Sequence, residues 1–252
     1  MKFRNSIVKL AMALTSGALM LSNTFASDLP SNEKLKAELV KIVSQKNGGF
    51  GFNMWVTVVD RDGVVQAVAF SGKERGSQWP GSRVISAQKA NTANAFSLPE
   101  FALSTANLFS AVQPGGSLFG LQASNPVDVS VAYGGDSEDI GLADDPMVGE
   151  KIGGVNVFGG GLALYDSEGK LVGAIGVSGD SSCADHNIAW KLRDALGLDF
   201  VPKGVSATSD DNIVNDITNS VSKGGWGHPV CSAEAEKVAG ELPVSNPIGN
   251  KK

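Results

Sequence analysis

Residues 162–179 read LALYDSEGKLVGAIGVSG, a glycine-rich apolar stretch with a polar turn near its start. Two runs rich in β-forming residues flank a turn that starts at Asp166 and ends at Gly169, which predicts a β-hairpin. Residues 54–70, MWVTVVDRDGVVQAVAF, repeat the arrangement around the turn DRDG. Hairpins with similar loop chemistry converge easily. We therefore interpret the two stretches as hairpins of one antiparallel sheet, not as proof of duplication.

A helix is predicted to follow each hairpin, because apolar residues recur there at helical spacing. The first helix covers 82–96, SRVISAQKANTANAF, with Ser82 as a plausible N-cap. The second covers 182–198, SCADHNIAWKLRDALGL, and Gly197 is its stop signal. An amphipathic helix over 33–46 is predicted before the first hairpin.

The glycines of the second hairpin have competing interpretations. Gly173 and Gly176 fall inside a predicted strand, which is typical of close packing by a neighbouring element. The turn 179–182 leads into a helix N-terminus, whose free amides could bind a carboxylate or propionate. Alternatively, Ser182 and Asp185 form a capping-box-like pair that already satisfies those amides.

Several enzyme classes do not fit this stretch. The run Gly176-Val177-Ser178-Gly179-Asp180 has an aspartate where a hydrolase nucleophile elbow needs its second glycine. Its glycines are not spaced as a dinucleotide fingerprint, and there is no phosphate-loop lysine. The sequence therefore offers no convincing catalytic constellation.

The chain starts with MKFRNSIVKLAMALTSGALMLSNTFA, which is typical of a signal peptide over 1–26 with cleavage after Ala26. The alternative, a membrane anchor, needs about 20 apolar residues, and this run is shorter. Cleavage removes three basic residues and no acidic ones, so the formal charge moves from -5 to -8. With no basic cluster, nucleic acid is not expected as a partner. We expect a protein without a membrane span in the periplasm or outside the cell.

The remaining chain is predicted to be one domain over 27–200 followed by a wrapping tail over 201–252. A long irregular insertion at about 97–150 interrupts the domain, and such stretches are usually functional or form a binding edge. The tail is polar, with a short amphipathic segment at 211–221 and a loose end.

Cysteine and histidine occur in two matching pairs, Cys183-Ala-Asp-His186 and His228-Pro-Val-Cys231. An even cysteine count in an exported protein favours a disulfide, typically worth ~2–4 kcal/mol for such a loop. The same four residues are also compatible with a tetrahedral zinc site. The sequence does not decide between the disulfide and zinc, and we assign no metal. Either histidine could bind a noncovalent haem iron, or be a surface or capping residue.

An acidic cluster lies in the long insertion. A calcium loop needs alternate-position carboxylates and a turn glycine, and the stretch DSEDIGLADD offers that only vaguely. A solvated acidic loop is the interpretation we prefer. Its members are Asp136, Glu138, Asp139, Asp144 and Asp145.

The order of these elements resembles the GlcG-like family. The resemblance lies in the K-A-x-T-A-x-x-F helix at 89–96, the glycines near 159–161, the run VGAIGVSG and the following D-x-x-I-A at 185–189. It covers roughly residues 35–198. The family includes haem-binding and haem-degrading-type secreted proteins and the C-terminal domain of a propanediol-utilisation corrinoid enzyme.

The resemblance implies a single-domain profilin-like α/β fold of the α+β type, an antiparallel sheet with helices packed on it. It also implies frequent homo-oligomers and haem binding for several members, with no catalytic residue set common to all. The long insertion, the cysteine pair and the tail depart from the family pattern. Seven positions of this sequence match the family motif and are assigned to a cofactor site, where their role is either binding or purely structural. They are Lys89, Thr92, Gly159, Gly160, Ser178, Gly179 and Asp185.

We therefore expect an exported haem carrier or sensor that binds haem noncovalently and has no assigned catalytic residue. His186 is the first expected iron ligand and His228 the second, with a Tyr, Lys or Thr ligand next in order. The alternatives are a haem-degrading or small-acid-processing enzyme and an oligomeric interaction scaffold.

Overall fold

The computed structural model describes residues 29–249. The predicted signal peptide at 1–26 lies outside these residues. None of the helices in this range combines the length and the apolar composition that a transmembrane span needs.

One four-stranded antiparallel sheet forms the centre of the molecule. Its strands are β1 (Trp55–Asp60), β2 (Val65–Phe70), β3 (Gly161–Tyr165) and β4 (Leu171–Ser178), in the order β2-β1-β4-β3. The two predicted hairpins are confirmed, and β1 pairs with β4 to join them, from Trp55 opposite Ser178 to Asp60 opposite Gly173.

Helices cover both faces of the sheet. Helix α1 (Asn32–Val43) and helix α5 (Ser182–Ala195) share an apolar core with the face that carries Val56 and Ile175. Helix α2 (Ser82–Phe96) packs on the opposite face, which carries Trp55 and Val59. Alternate residues of a strand point to opposite faces, so each strand contributes to both cores. The predicted antiparallel sheet with packed helices is therefore confirmed.

The two strand glycines allow close packing, as predicted. A Cβ on Gly176 would lie 1.9 Å from the carbonyl oxygen of Ser86 in α2. A Cβ on Gly173 would lie 2.1 Å from the carbonyl oxygen of Val59 in the neighbouring strand. No side chain fits at either position without moving backbone.

Both predicted helix caps are wrong by one residue. Helix α5 is capped by Ser181, whose Oγ accepts a hydrogen bond from the amide of Ala184. Helix α2 is preceded by Gly81 and has no side-chain cap, while Ser82 is buried in its first turn. Adjacent serines and small residues leave the sequence signal ambiguous by one position.

The predicted insertion consists of short elements. Two 3-10 turns span Thr105–Leu108 and Ser110–Val112, followed by helix α3 (Leu121–Ser124) and helix α4 (Val129–Ala132). The segment from 132 to 147 then packs against α2.

The tail wraps around α5 and ends in a helix that the sequence analysis missed. Residues 211–216 have no regular secondary structure, and β5 (Ile217–Thr218) and β6 (Val221–Ser222) form a small hairpin at the end of the predicted short amphipathic segment 211–221. Helix α6 (Ala233–Ser245) packs on α5. Its buried side is mostly alanine, which gives a weak apolar signal. The expected loose end is therefore an ordered helix as far as the structure describes the chain.

Candidate functional site

A cavity of about 410 Å³ lies at the N-terminal end of α2. Residues 74–81 form one wall, residues 132–140 form another, and β1 supplies part of the lining through Trp55. Apolar side chains contribute most of the lining, among them Trp55, Pro80, Val84 and Ile140. The polar side chains of the lining are Glu74, Arg75, Arg83, Tyr133 and Ser137.

A buried ion pair fixes the wall at 132–140. The Arg83 guanidinium donates two hydrogen bonds to the Asp145 carboxylate, and its third bond goes to the carbonyl oxygen of Ala132 at 3.0 Å. The same carboxylate accepts the amides of Gly141 and Met147. Asp145 is therefore an internal anchor, which corrects the prediction that it belongs to a solvated acidic cluster.

The other four acidic residues fit the prediction better. Three of them, Asp136, Glu138 and Asp144, are exposed, and Asp139 is intermediate. Partial desolvation and the neighbouring carboxylates raise the pKa of Asp139. The acidic surface therefore lies beside the cavity wall, while only Asp145 takes part in holding it.

Trp55 and Tyr133 give the cavity its specific chemistry. The Trp55 ring stacks on Phe70 at 4.5 Å between centroids, and its buried Nε1 has no hydrogen-bond partner within residues 29–249. Tyr133 follows α4 directly and is 71% exposed. The site thus combines an apolar wall with a phenol that solvent and ligands can reach.

Exposed aromatic rings continue from the cavity rim. The ring of Trp79, next to Pro80, contacts Phe52 edge-on at 5.3 Å, and Phe52 stacks on Phe50 at 5.5 Å. The backbone amides of 50–52 all donate to the Asp180 carboxylate. This carboxylate therefore holds the aromatic loop in place.

The turn 179–182 is not a free anion site. The amide of Asp180 donates to Asp185, the amide of Ser181 donates to the Asp180 carboxylate, and the amide of Cys183 donates to the sulfur of Cys231. Groups within the protein therefore satisfy these amides, which is the second of the two predicted alternatives. The capping residue is Ser181 and not Ser182.

Most of the expected site residues lie together in the interior instead of at the cavity. Lys89 donates to the Asp185 carboxylate at 2.7 Å and to the carbonyl oxygen of Val177 at 3.0 Å. Burial lowers the pKa of Lys89 and raises that of Asp185 to about 6, although the ammonium opposes the latter shift. The pair connects α2, β4 and α5.

The remaining motif positions surround this ion pair and its neighbouring backbone. A Cβ on Gly160 would come within 3.1 Å of the Lys89 ammonium, and one on Gly159 would overlap the carbonyl of Ser182. Thr92 bonds to the carbonyl of Gln88 and accepts the amide of Asn156. Ser178 is buried opposite Trp55 in the sheet, and a Cβ on Gly179 would lie 2.5 Å from the carbonyl oxygen of Asn53. These contacts give the motif a packing role.

Both histidines are buried, so the surface interpretation is wrong for each. His186 Nε2 accepts the amide of Ile213 at 3.1 Å, and burial lowers the His186 pKa to about 3. His228 Nδ1 donates to the carbonyl of Pro229 at 2.8 Å, and burial lowers its pKa to about 4. Neither residue lines the cavity. The Cys183–Cys231 disulfide beside them is present, as predicted.

The cavity residues were not singled out from the sequence. Arg75, Tyr133 and Ile140 belong to segments without periodicity, and Trp55 reads as an ordinary strand residue. The only signal was the length of the irregular stretch after residue 97, which was expected to be functional or a binding edge. That stretch supplies one wall of the cavity.

Comparison with known proteins identifies one matching family and several similar solved structures. A family model described as haem degrading protein HbpS-like matches residues 32–193. A crystal structure of a PduOC:heme complex shares 24% identity over 65% of this chain and 89% of that chain, with a TM-score of 0.44. Klebsiella pneumoniae protein ORFY, of the DUF336 family, shares 24% identity over 66% of this chain and 87% of that chain, with a TM-score of 0.43. A comparison with curated proteins finds no match.

Proposed function

The chain belongs to the family of HbpS-like haem-degrading proteins, and we propose that it binds haem noncovalently in the cavity at the start of α2. The observation that carries the location is the combination of groups in that cavity. Haem is a flat apolar macrocycle with two carboxylates and an iron that needs a ligand. The cavity offers an apolar wall, an arginine and a tyrosine.

The chemistry of the lining fits each part of haem. Trp55, Val84 and Ile140 provide apolar surface, and cavities of this size are typical of small-molecule sites. Arg75 can pair with a propionate, since a guanidinium binds carboxylates through two parallel hydrogen bonds. When bound, haem supplies an iron centre for ligand binding and redox chemistry.

Other clefts of the described chain fit haem less well. A cleft of about 870 Å³ beside Pro229 has no charged residue, histidine or tyrosine in its lining. Another of about 560 Å³ beside Lys191 is lined mainly by charged and amide side chains. Neither combines an apolar wall with a cation and an iron ligand.

Tyr133 is the residue we propose as the iron ligand. Tyrosine is an established axial ligand of haem iron. The other tyrosine, Tyr165, is buried and donates its hydroxyl to the carbonyl of Leu98. Ligation by His186 or His228, the first expectation from the sequence, requires the tail to move away from α5. Tyr133 needs no such movement.

A carrier or sensor is the form of haem binding that we favour, in the periplasm or outside the cell and as a homo-oligomer. The predicted signal peptide supports export. A second candidate is haem degradation, which the description of the family model favours. Repeated turnover with a defined product distinguishes it, because stoichiometric bleaching of haem needs no evolved active site.

A charge placed in the cavity tests the location. We expect Ile140→Glu to weaken haemin binding at least tenfold, because a bound haem would have to remove water from an ionised carboxylate in the apolar wall. Leu142→Glu is the matched control, since Leu142 lies two residues away, is half exposed and does not line the cavity. Haemin titration followed at the Soret band gives both affinities. Equal affinities of the two variants would place haem elsewhere.

A further inference from the structure

The disulfide lies against a buried histidine, beneath the tail. The ligand atoms of Cys183, Cys231 and His228 all lie within 4.8 Å of one another. The Nδ1 of His228 lies 3.9 Å from the sulfur of Cys183. These three residues form the one cluster of potential metal ligands found within residues 29–249.

The two sulfur atoms have different surroundings. Cys183 is buried in the first turn of α5, whereas Cys231 is exposed. The Cys231 sulfur lies at the N-terminus of α5, where it accepts the amide of Cys183 at 3.2 Å and lies 3.6 Å from the Ser182 hydroxyl. A helix N-terminus and amide donors stabilise a thiolate. The bond is therefore open to attack at Cys231, and the reduced form of that cysteine is stabilised.

We propose that Cys183, Cys231 and His228 form a zinc site once a thiol reductant has opened the disulfide. A thiolate of the reductant attacks the exposed sulfur of Cys231, and Cys183 leaves as a thiolate. A second thiol of the reductant then releases Cys231, so the protein gains two electrons while the reductant becomes a disulfide. Zn²⁺ binds the two thiolates and the imidazole, with water in the fourth position.

The present geometry requires little rearrangement. Zinc–sulfur and zinc–nitrogen bonds of about 2.3 and 2.0 Å put tetrahedral ligands about 3.5–3.8 Å apart. The histidine is already close to that distance from Cys183. The two sulfur atoms must separate after reduction, and the exposed side chain of Cys231 can move to allow this.

His228 can coordinate zinc through its Nδ1 without breaking a hydrogen bond at its other ring nitrogen, Nε2. Coordination through Nδ1 replaces the hydrogen bond to the carbonyl of Pro229 and moves the ring proton to Nε2. Within the described residues Nε2 has no hydrogen-bond partner, so the tautomer change breaks no bond there.

Cobalt is the probe we would use, because tetrahedral thiolate-bound Co²⁺ absorbs strongly in the near ultraviolet and the visible. Untagged protein is reduced with a phosphine, freed of metal and reductant without air, and titrated with Co²⁺. We expect one Co²⁺ per chain, displaced by one equivalent of Zn²⁺, and no such bands from the oxidised protein. Reduced protein without these bands would overturn the proposal.

A pair of histidine variants tests the ligand set. We expect His228→Ala to bind Co²⁺ at least tenfold more weakly and His186→Gln, the matched control, to bind as wild type does. Identical spectra and affinities for His228→Ala and wild type would exclude His228 as a ligand and so contradict the proposed site. If circular dichroism shows that His228→Ala does not fold, the comparison of oxidised with reduced wild type decides. The site is independent of haem, and these spectra are recorded without it.

Discussion

Lys89 and Asp185 form an ion pair deep between α2 and α5. Both side chains are almost fully buried, and each also has a backbone partner, at Val177 and Asp180 respectively. Breaking such a pair from one side leaves an uncompensated buried charge, which is more costly than the pair itself is stabilising. Packing and charge thus give the family-motif lysine a structural role.

Substituting this lysine measures its structural role. We expect Lys89→Met to lower the free energy of unfolding by about 3–5 kcal/mol, because Asp185 loses its partner. The control is Lys237→Met, which removes an exposed lysine 3.9 Å from Glu241. That exposed pair is worth about 0–1 kcal/mol. Urea unfolding at pH 8 gives both values.

The loss in Lys89→Met also depends on pH, with a definite sign. Burial raises the pKa of Asp185 to about 6 even with Lys89 present. Without the ammonium that opposes this shift, the pKa rises further. An acid with a raised folded-state pKa binds protons more tightly when folded, so its destabilising effect grows as the pH increases. The free energy of unfolding that Lys89→Met loses relative to wild type should therefore be smaller at pH 5 than at pH 8. An equal loss at both pH values would show that Asp185 is not the cause.

At the scale of elements, the contact between α2 and β4 determines how the layers pack. Helix α2 lies directly on the glycines of the sheet, where Gly176 leaves room for the carbonyl of Ser86. A hydrogen bond of 2.8 Å between the hydroxyls of Thr57 and Ser86 joins the same two layers. The helix can approach this closely only because the strand has no side chain there.

A methyl group at this position should separate the layers. We expect Gly176→Ala to destabilise the protein by about 3 kcal/mol or more, the upper end of the cost of overpacking, since the new Cβ meets backbone and not a flexible side chain. Gly240→Ala in α6 is the matched control. No atom lies within 4 Å of its added Cβ, and alanine should stabilise that helix by about 0.5–1 kcal/mol. Thermal unfolding of the two variants compares them. Equal melting temperatures would contradict the close packing.

The helices and strands could be predicted where neighbouring residues in the sequence form a clear pattern. The alternation of apolar residues and the turns DRDG and DSEG fixed both hairpins, and helical spacing fixed α1, α2 and α5. The caps were wrong because neighbouring small residues compete for the same position. Helix α6 was missed because its buried residues include Ala235 and Ala239, whose short side chains give little apolar contrast.

At the scale of the whole molecule, buried ion pairs connect distant segments. Within residues 29–249 they join Arg83 to Asp145, Lys89 to Asp185 and Arg193 to Asp211. The last pair links the tail to α5. The nearby Asn212 lies between α5 and α6, with its Oδ1 3.2 Å from Nε2 of His186 and its side-chain amide donating to the carbonyl oxygen of Ala239. None of these pairs was predicted, because their partners are defined only by the assembled fold.

The candidate cavity could not be predicted for the same reason. It is assembled from the first strand, the segment before α2, α2 itself and the wall at 132–140. The sequence drew attention to His186 and His228 because reactive residue types cluster around the cysteines. The fold buries both histidines and leaves Tyr133 exposed at the cavity.

The most direct test of the account is haemin titration of the apoprotein, with wild type, Tyr133→Phe and His186→Gln compared by absorption. We expect wild type to bind one haem per chain with a Soret band displaced from that of free haemin. Tyr133→Phe should lose that spectrum and bind at least tenfold more weakly, whereas His186→Gln should retain it. A wild type without a Soret shift would contradict haem binding. A spectrum unchanged by Tyr133→Phe but lost in His186→Gln would move the iron to the buried histidine.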